Sequence, residues 1–223
     1  TFKGLELVPG YRAGIFFFKG PEVHRGYEFH DCDILGQWNH ATDSGENSKW
    51  GVWGQSMADF VFKGVTRPAV IQDLRREHAF YIQNPQGDIT IENVVARRLG
   101  RTFCQFTARA GNGAVGVGNI TVRNCRVEDV AIGAGDGYKG GSAFTVAGRL
   151  TGTILFENNT YRAGFEPSLR RLTRPDSPYG TGAFVAWMAG EQVPNGHLIL
   201  RDNDFEMAPG CGDRSLVMIG GCT

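Results

Sequence analysis

One short phrase recurs along the chain, and it restricts the fold more than any other feature. It reads "ITIEN" at 89–93, "ITVRN" at 120–124, "ILFEN" at 154–158 and "LILRDN" at 198–203. Each copy alternates apolar and polar residues, the period-2 pattern of a strand with one face buried. Each then stops at Asn or Asp. Aligning on the second apolar residue of each run adds "YEFHD" and "FVFKG", giving Phe29, Phe62, Ile91, Val122, Phe156 and Leu200, spaced by 33, 29, 31, 34 and 44 residues. Phe2 in "TFKGLEL" matches Phe62 in "VFKGVTR", so the chain begins inside a repeat and the repeat array is expected to extend upstream.

A second strand-like run lies between successive copies: "GIFFF" (14–18), "WGVWG" (50–54), "HAFYI" (78–82), "TFCQF" (102–106), "SAFTV" (142–146), "GAFVAW" (182–187) and "SLVMI" (215–219). Helical periodicity is confined to a short turn at "IQDLRREH". Repeats of about thirty residues, holding two strands and a short third, exclude ankyrin, leucine-rich and propeller repeats. They fit strands stacked on near-identical neighbours about 4.8 Å apart, as in a parallel β-helix. The high glycine content, 32 of 223 residues, suits an architecture of many tight turns.

The Asn and Asp stops have a physical reason. A sharp corner between strands needs a left-handed or bridging backbone, which Asn, Asp and Gly tolerate best. The corner reads Asp31, Gly64, Asn93, Asn124, Asn158 and Asp202, and stacked amides there can bond from layer to layer. The alignment expects Ile91, Val122, Phe156, Leu200, Phe80, Phe144 and Phe184 to be buried, and Glu92, Arg123 and Glu157 to be exposed.

The corner phrase and the "EHAFYIQN" run resemble the right-handed parallel β-helices of the pectin-lyase-like class, over essentially all 223 residues. The resemblance implies an all-β, single-stranded right-handed β-helix of about seven coils forming one domain over 1–223. It makes "HAFYI", "TFCQF" and "SAFTV" first strands, and "VVAR", "CRVED" and "NTYRA" third strands. The class includes polysaccharide lyases and hydrolases, epimerases, phage tailspikes and adhesins, so fold alone does not choose a function.

In enzymes of that class the substrate lies across the outer face of the first strands. The alignment turns Phe17, Trp53, Tyr81, Gln105, Thr145 and Val185 outward, and two residues on come Lys19, Gln55, Gln83, Thr107, Ala147 and Trp187. Aromatic faces stack on the CH groups of pyranoses, and amides bond their hydroxyls. The expected substrate-binding set is therefore Trp53, Gln55, Gln83, Gln105 and Arg76. The flanking loops carry Arg75, Arg76, Arg97, Arg98, Arg101, Lys139, Arg170, Arg171 and Arg174, which points to an acidic polysaccharide, because guanidinium groups hold carboxylates in bidentate fashion. A balance by Glu77, Glu128, Asp129 and Asp136 is the competing account. Lyase chemistry would need a base near a uronate, for which Tyr81, His78, Arg101 and Arg109 are the candidates. His78 shares the parity of Phe80 and reads better as a buried, hydrogen-bonded histidine.

Other chemistry is excluded or left open. The "WIDH" and "RxPxxR" motifs of calcium-dependent pectate lyases and the paired aspartates of galacturonan hydrolases are missing, as are Walker, GxSxG and HExxH motifs. No cofactor is called for. The polar stretch 30–47 could supply oxygen and imidazole ligands to a metal, calcium among the candidates, through His30, Asp31, Asp33, His40, Asp43 and Glu46. Zero net charge gives no global field toward nucleic acid or membrane. Five cysteines without CxxC spacing argue against a disulfide framework, with Cys211 and Cys222 the only pair free to join and Cys104 and Cys125 inside strands. The expectation is thus a polysaccharide-binding and polysaccharide-cleaving protein, extracellular or at the cell surface. The rival is a non-enzymatic structural or adhesive module, of the tailspike or fibre kind, self-associating through its wall.

Overall fold

A computed structural model describes residues 1–10, 13–17, 22–39, 50–75, 77–108, 115–130, 143–163, 185–188, 196–208 and 217–220. Among them every regular element is a strand, and the strands form three seven-stranded parallel sheets. Sheet A stacks Phe2–Lys3, Glu28–His30, Phe60–Lys63, Ile89–Glu92, Ile120–Arg123, Thr153–Glu157 and His197–Arg201. Sheet B stacks Glu6–Leu7, Asp33–Leu35, Ala69–Leu74, Val94–Leu99, Arg126–Glu128, Thr160–Ala163 and Asp204–Met207. Sheet C stacks Ala13–Phe17, Trp50–Gln55, Phe80–Gln83, Cys104–Ala108, Phe144–Gly148, Val185–Met188 and Val217–Gly220. The chain visits A, B and C in that order seven times, an arrangement consistent with a parallel β-helix. His24–Arg25 and Met57–Ala58 add a small two-stranded pair.

The alignment of the repeat is reproduced residue for residue in sheet A. Phe2 pairs with Phe29, Phe29 with Phe62, Phe62 with Ile91, Ile91 with Val122, Val122 with Phe156 and Phe156 with Leu200. Their side chains form one file through the core. Phe62, Ile91, Val122 and Phe156 have no solvent exposure, and neither do Phe80 and Phe144 of sheet C. Leu200 departs from expectation at 37% exposed, because its strand is the last of sheet A and no described strand stacks beyond it. Glu92 and Glu157 are half-buried rather than exposed, since Arg123 and Arg201 reach across the layers to pair with them.

The corners follow the reading at all but one position. Asp31, Asn93, Asn124, Asn158 and Asp202 have φ between 50° and 55°. Gly64 does not occupy the left-handed region. There the chain makes a longer detour, and glycine is needed for space: a Cβ would sit 2.2 Å from the Arg67 carbonyl oxygen and 2.7 Å from that of Asn93. A second file of left-handed corners, Asp73, Arg98 and Asp129, closes the strands of sheet B. Composition hides this file, because one of its members is an arginine, held in place by two hydrogen bonds to the Asp73 carboxylate. The helical turn expected at "IQDLRREH" is instead strand through Leu74, its Ile71 and Leu74 side chains packed in the core.

Candidate functional site

Sheet C positions the candidate wall. Its inward file runs through Ile15, Val52, Phe80, Cys104 and Phe144, all buried. The file beside it faces outward and runs through Phe16, Trp53, Tyr81, Gln105 and Thr145. The expectation of Phe17 in this file is corrected: Phe16 pairs with Trp53 and is 36% exposed, whereas Phe17 pairs with Gly54 and is buried. The run "GIFFF" contains no polar residue, so its parity was not fixed until its partner strand was known. The far end also slips by one residue. Val185, not Phe184, pairs with Phe144, which puts Ala186 beside Thr145 and Met188, not Trp187, beside Ala147.

The open part of the wall is aromatic. The Phe16 and Trp53 rings lie 4.7 Å apart, and Trp50 stacks on Trp53 at 4.6 Å with an interplanar angle of 29°. One layer on, Gln83 Nε2 donates to the Tyr81 hydroxyl oxygen at 2.7 Å. Gln55, Gln83 and Thr107 share one register file, next to that of Trp53, Tyr81 and Gln105. Exposure falls along the wall, from Phe16 at 36% to Thr107 at 3% and Thr145 at 4%.

Behind Tyr81 lies a polar cluster. His78 is 1% exposed, its ring centroid 5.2 Å from that of Tyr81, and its Nδ1 lies 2.5 Å from the Thr102 hydroxyl. Its Nε2 faces Glu77 Oε2 at 3.8 Å. Burial, with a smaller push from the Arg101 cation, lowers its pKa to about 3, so the ring is neutral. His78 is therefore the hydrogen-bonded core histidine that parity suggested, and its burial keeps it from a substrate on the wall. Arg101 Nη1 lies 3.4 Å from Glu77 Oε2. Arg98 is paired with Asp73, and Arg97 bonds the Gln72 side-chain oxygen at 2.7 Å. Of the arginines expected to line one edge of the wall, Arg97, Arg98 and Arg101 are thus engaged by the protein's own acceptors. Arg76 and Arg109 lie outside the described residues, as do Lys139, Arg170, Arg171 and Arg174.

The polar stretch 30–47 is accounted for in part by structure. The Asp31 carboxylate caps the loop after Gly64, accepting from the backbone of Val65 and Thr66 and from the Thr66 hydroxyl. Those bonds, the Val65 amide foremost, hold its pKa down at about 2. Asp33 takes two hydrogen bonds from Arg67. Both are therefore committed before any ion arrives, and among the described residues no three His, Cys, Asp or Glu side chains converge on a metal position. His40, Asp43 and Glu46 lie outside the described residues, as do Cys211 and Cys222.

One property of the wall escaped the sequence reading, although its signal was in the strands themselves. No strand of sheet C contains Asp, Glu, Lys, Arg or His. Every strand of sheets A and B contains at least one charged residue.

Compared with protein-family models, with curated proteins and with solved structures, the chain matches none. No described helix is long and apolar enough to cross a membrane.

Proposed function

We propose that the chain is a right-handed parallel β-helix of seven coils, of the pectin-lyase-like kind, and that it binds a polysaccharide along the outer face of sheet C. The observation that carries this reading is the ordered run of Phe16, Trp53 and Tyr81 in successive layers, flanked by Gln55, Gln83 and Gln105. Layers spaced by about 4.8 Å make a ladder along which an extended sugar chain can lie, CH faces on rings and hydroxyls on amides. With such a ligand goes the proposal that the protein works outside the cell or on its surface.

Cleavage rests on thinner support. His78 is buried and neutral, which leaves Tyr81 as the described candidate with a hydroxyl on the wall itself. The second reading, self-association through this face, draws on the same outward aromatics, because a sheet face lacking charge also suits a protein interface.

A panel of soluble neutral and acidic polysaccharides, tested by affinity electrophoresis with sedimentation of the protein alone, separates the two. Retardation by a polymer, reduced in Trp53→Ala, supports the binding reading. Retardation by none, with an oligomer that Trp53→Ala dissociates, overturns it in favour of assembly.

A further inference from the structure

We infer that the sugar bound on this wall is uncharged, and that Glu77 enforces the choice by occupying Arg101. The inference rests on the glycan-binding reading above and goes beyond it by naming the ligand's class.

The distribution of charge is the first ground. On sheet A the outward file past the core reads Lys63, Glu92, Arg123, Glu157 and Arg201, alternating in sign from layer to layer. Two of its steps are closed as ion pairs, Arg123 with Glu92 at 3.0 Å and Arg201 with Glu157 at 2.5 Å. Sheet B carries Arg97, Glu128, Arg162 and Glu206 in the same manner, with Arg162 and Glu206 2.8 Å apart. A repeat that copies its layers could carry such a ladder on all three faces. Sheet C has none: from Phe16 to Thr145 its outward file holds rings, an amide and a hydroxyl.

A polyuronate needs a cation for each carboxylate that it desolvates on the protein. An uncharged sugar needs none. It needs apolar faces for its CH groups and uncharged donors and acceptors for its hydroxyls, which is what Trp53, Tyr81, Gln55 and Gln83 supply. Two buried polar atoms of this sheet, Trp50 Nε1 and Thr107 Oγ1, make no hydrogen bond.

Glu77 is the second ground. Its carboxylate lies 3.4 Å from Arg101 Nη1, its side chain is 15% exposed, and the Arg101 amide also donates to the Glu77 carbonyl oxygen at 3.3 Å. Of Arg76, Arg101 and Arg109, the cations that the sequence offers to a uronate at this wall, Arg101 alone is among the described residues. A uronate brought to Arg101, whose side chain is 35% exposed, would meet a cation whose charge the Glu77 carboxylate already balances, and would be repelled by that carboxylate. Glu77 is thus a specificity-determining residue that acts through Arg101. The chemistry has a consequence: β-elimination requires a uronate, whose carboxyl group acidifies the proton to be removed. A wall for uncharged sugars is not a lyase site.

The test measures binding of dextran, galactomannan and laminarin against polygalacturonate and alginate, by affinity electrophoresis and titration calorimetry. The wild-type protein is expected to bind at least one neutral polymer roughly tenfold more tightly than either polyuronate. Glu77→Gln keeps the size of the side chain and removes its charge. It should raise polyuronate affinity about tenfold, in a manner that salt abolishes, and Glu77→Gln/Arg101→Gln should lose that gain. Stronger binding of polygalacturonate or alginate by the wild type overturns this inference and leaves the glycan-binding reading standing. Failure to bind any of the five overturns both. If Glu77→Gln does not fold, the wild-type preference alone decides the ligand class.

Discussion

Asn158 donates from its side-chain amide to the side-chain oxygen of Asn124 in the layer below, at 2.7 Å, and both residues are left-handed at φ 50° and 55°. The same residue type therefore does two things at one corner: it tolerates the turn, and it links layers. The two contributions can be separated by substitution. Asn158→Gly keeps the backbone freedom and loses the amide link, and should cost about 1 kcal/mol. Asn158→Ala loses both, and should cost about 2–3 kcal/mol, since alanine adds left-handed strain of about 1–2 kcal/mol. Urea denaturation of the two variants measures the difference, and equal midpoints would remove the strain contribution.

Phe156 is one of the largest side chains of the core. It has no exposure, and its ring lies 4.4 Å from that of Phe144 across the interior. Phe156→Ala should destabilise the fold by about 3–5 kcal/mol, through lost transfer energy and the cavity left behind. A loss below about 1 kcal/mol in equilibrium unfolding would mean that neighbouring layers collapse into the gap.

His78 gives the fold a pH dependence of known sign. Its folded pKa, about 3, lies below the value near 6.5 of a free histidine, so the unfolded chain binds more protons in between. Its contribution is complete above pH 6.5, declines as the pH falls from there toward 3, and is exhausted below 3. His78→Gln keeps a polar partner for Thr102 and cannot titrate. Between pH 7 and 4 the wild type should lose a few kcal/mol more than this variant, on the order set by the shift. Parallel pH profiles of the two melting temperatures would show that the ring is solvated.

Cys104 and Cys125 should resist thiol reagents until the protein unfolds. Both are buried, Cys104 at 0% and Cys125 at 2% exposure, and burial pushes the Cys104 thiol well above its ordinary value and the Cys125 thiol up to about 12. Site-resolved mass spectrometry after labelling with a maleimide reads each position separately. Rapid modification of Cys104 in native buffer would contradict its pairing with inward Phe80 and Phe144.

How far these features could be read from the chain depends on what fixes each one. The sheet A register was legible because a polar residue follows every core position, so a slip of one would bury Glu92 or Arg123. The same logic explains the misplacement of Phe17: five residues without a polar partner carry no parity, and only pairing with Trp50–Gln55 settles it. The corner at Asn93 announces itself, whereas that at Arg98 does not, because its left-handed backbone is supported by a contact 25 residues away in sequence. The wall failed in a different way. The sequence offers Glu77 among the acids that could balance the loop arginines, but that it meets Arg101 depends on chain geometry that spacing does not reveal. The missing charge in the sheet C strands was visible throughout, but has meaning only once sheets A and B are known to carry it.

The aromatic wall makes the last prediction. Trp50 and Trp53 stack at 4.6 Å with Phe16 against the outer ring, so a sugar seated there changes the surroundings of two indoles at once. Saturating the protein with a bound oligosaccharide should therefore shift its tryptophan emission to shorter wavelength, as ring surface leaves water. Trp53→Ala should remove most of that shift and weaken binding roughly tenfold, the loss expected from one stacking ring and its buried area. Tyr81→Phe keeps the ring and deletes only the oxygen that accepts from Gln83, so it should cost no more than about threefold. This order, tryptophan first and hydroxyl second, is the signature of stacking on a face without charge. A Tyr81→Phe loss larger than that of Trp53→Ala would make the hydroxyl the main anchor and shift the bound sugar to the layer of Gln83.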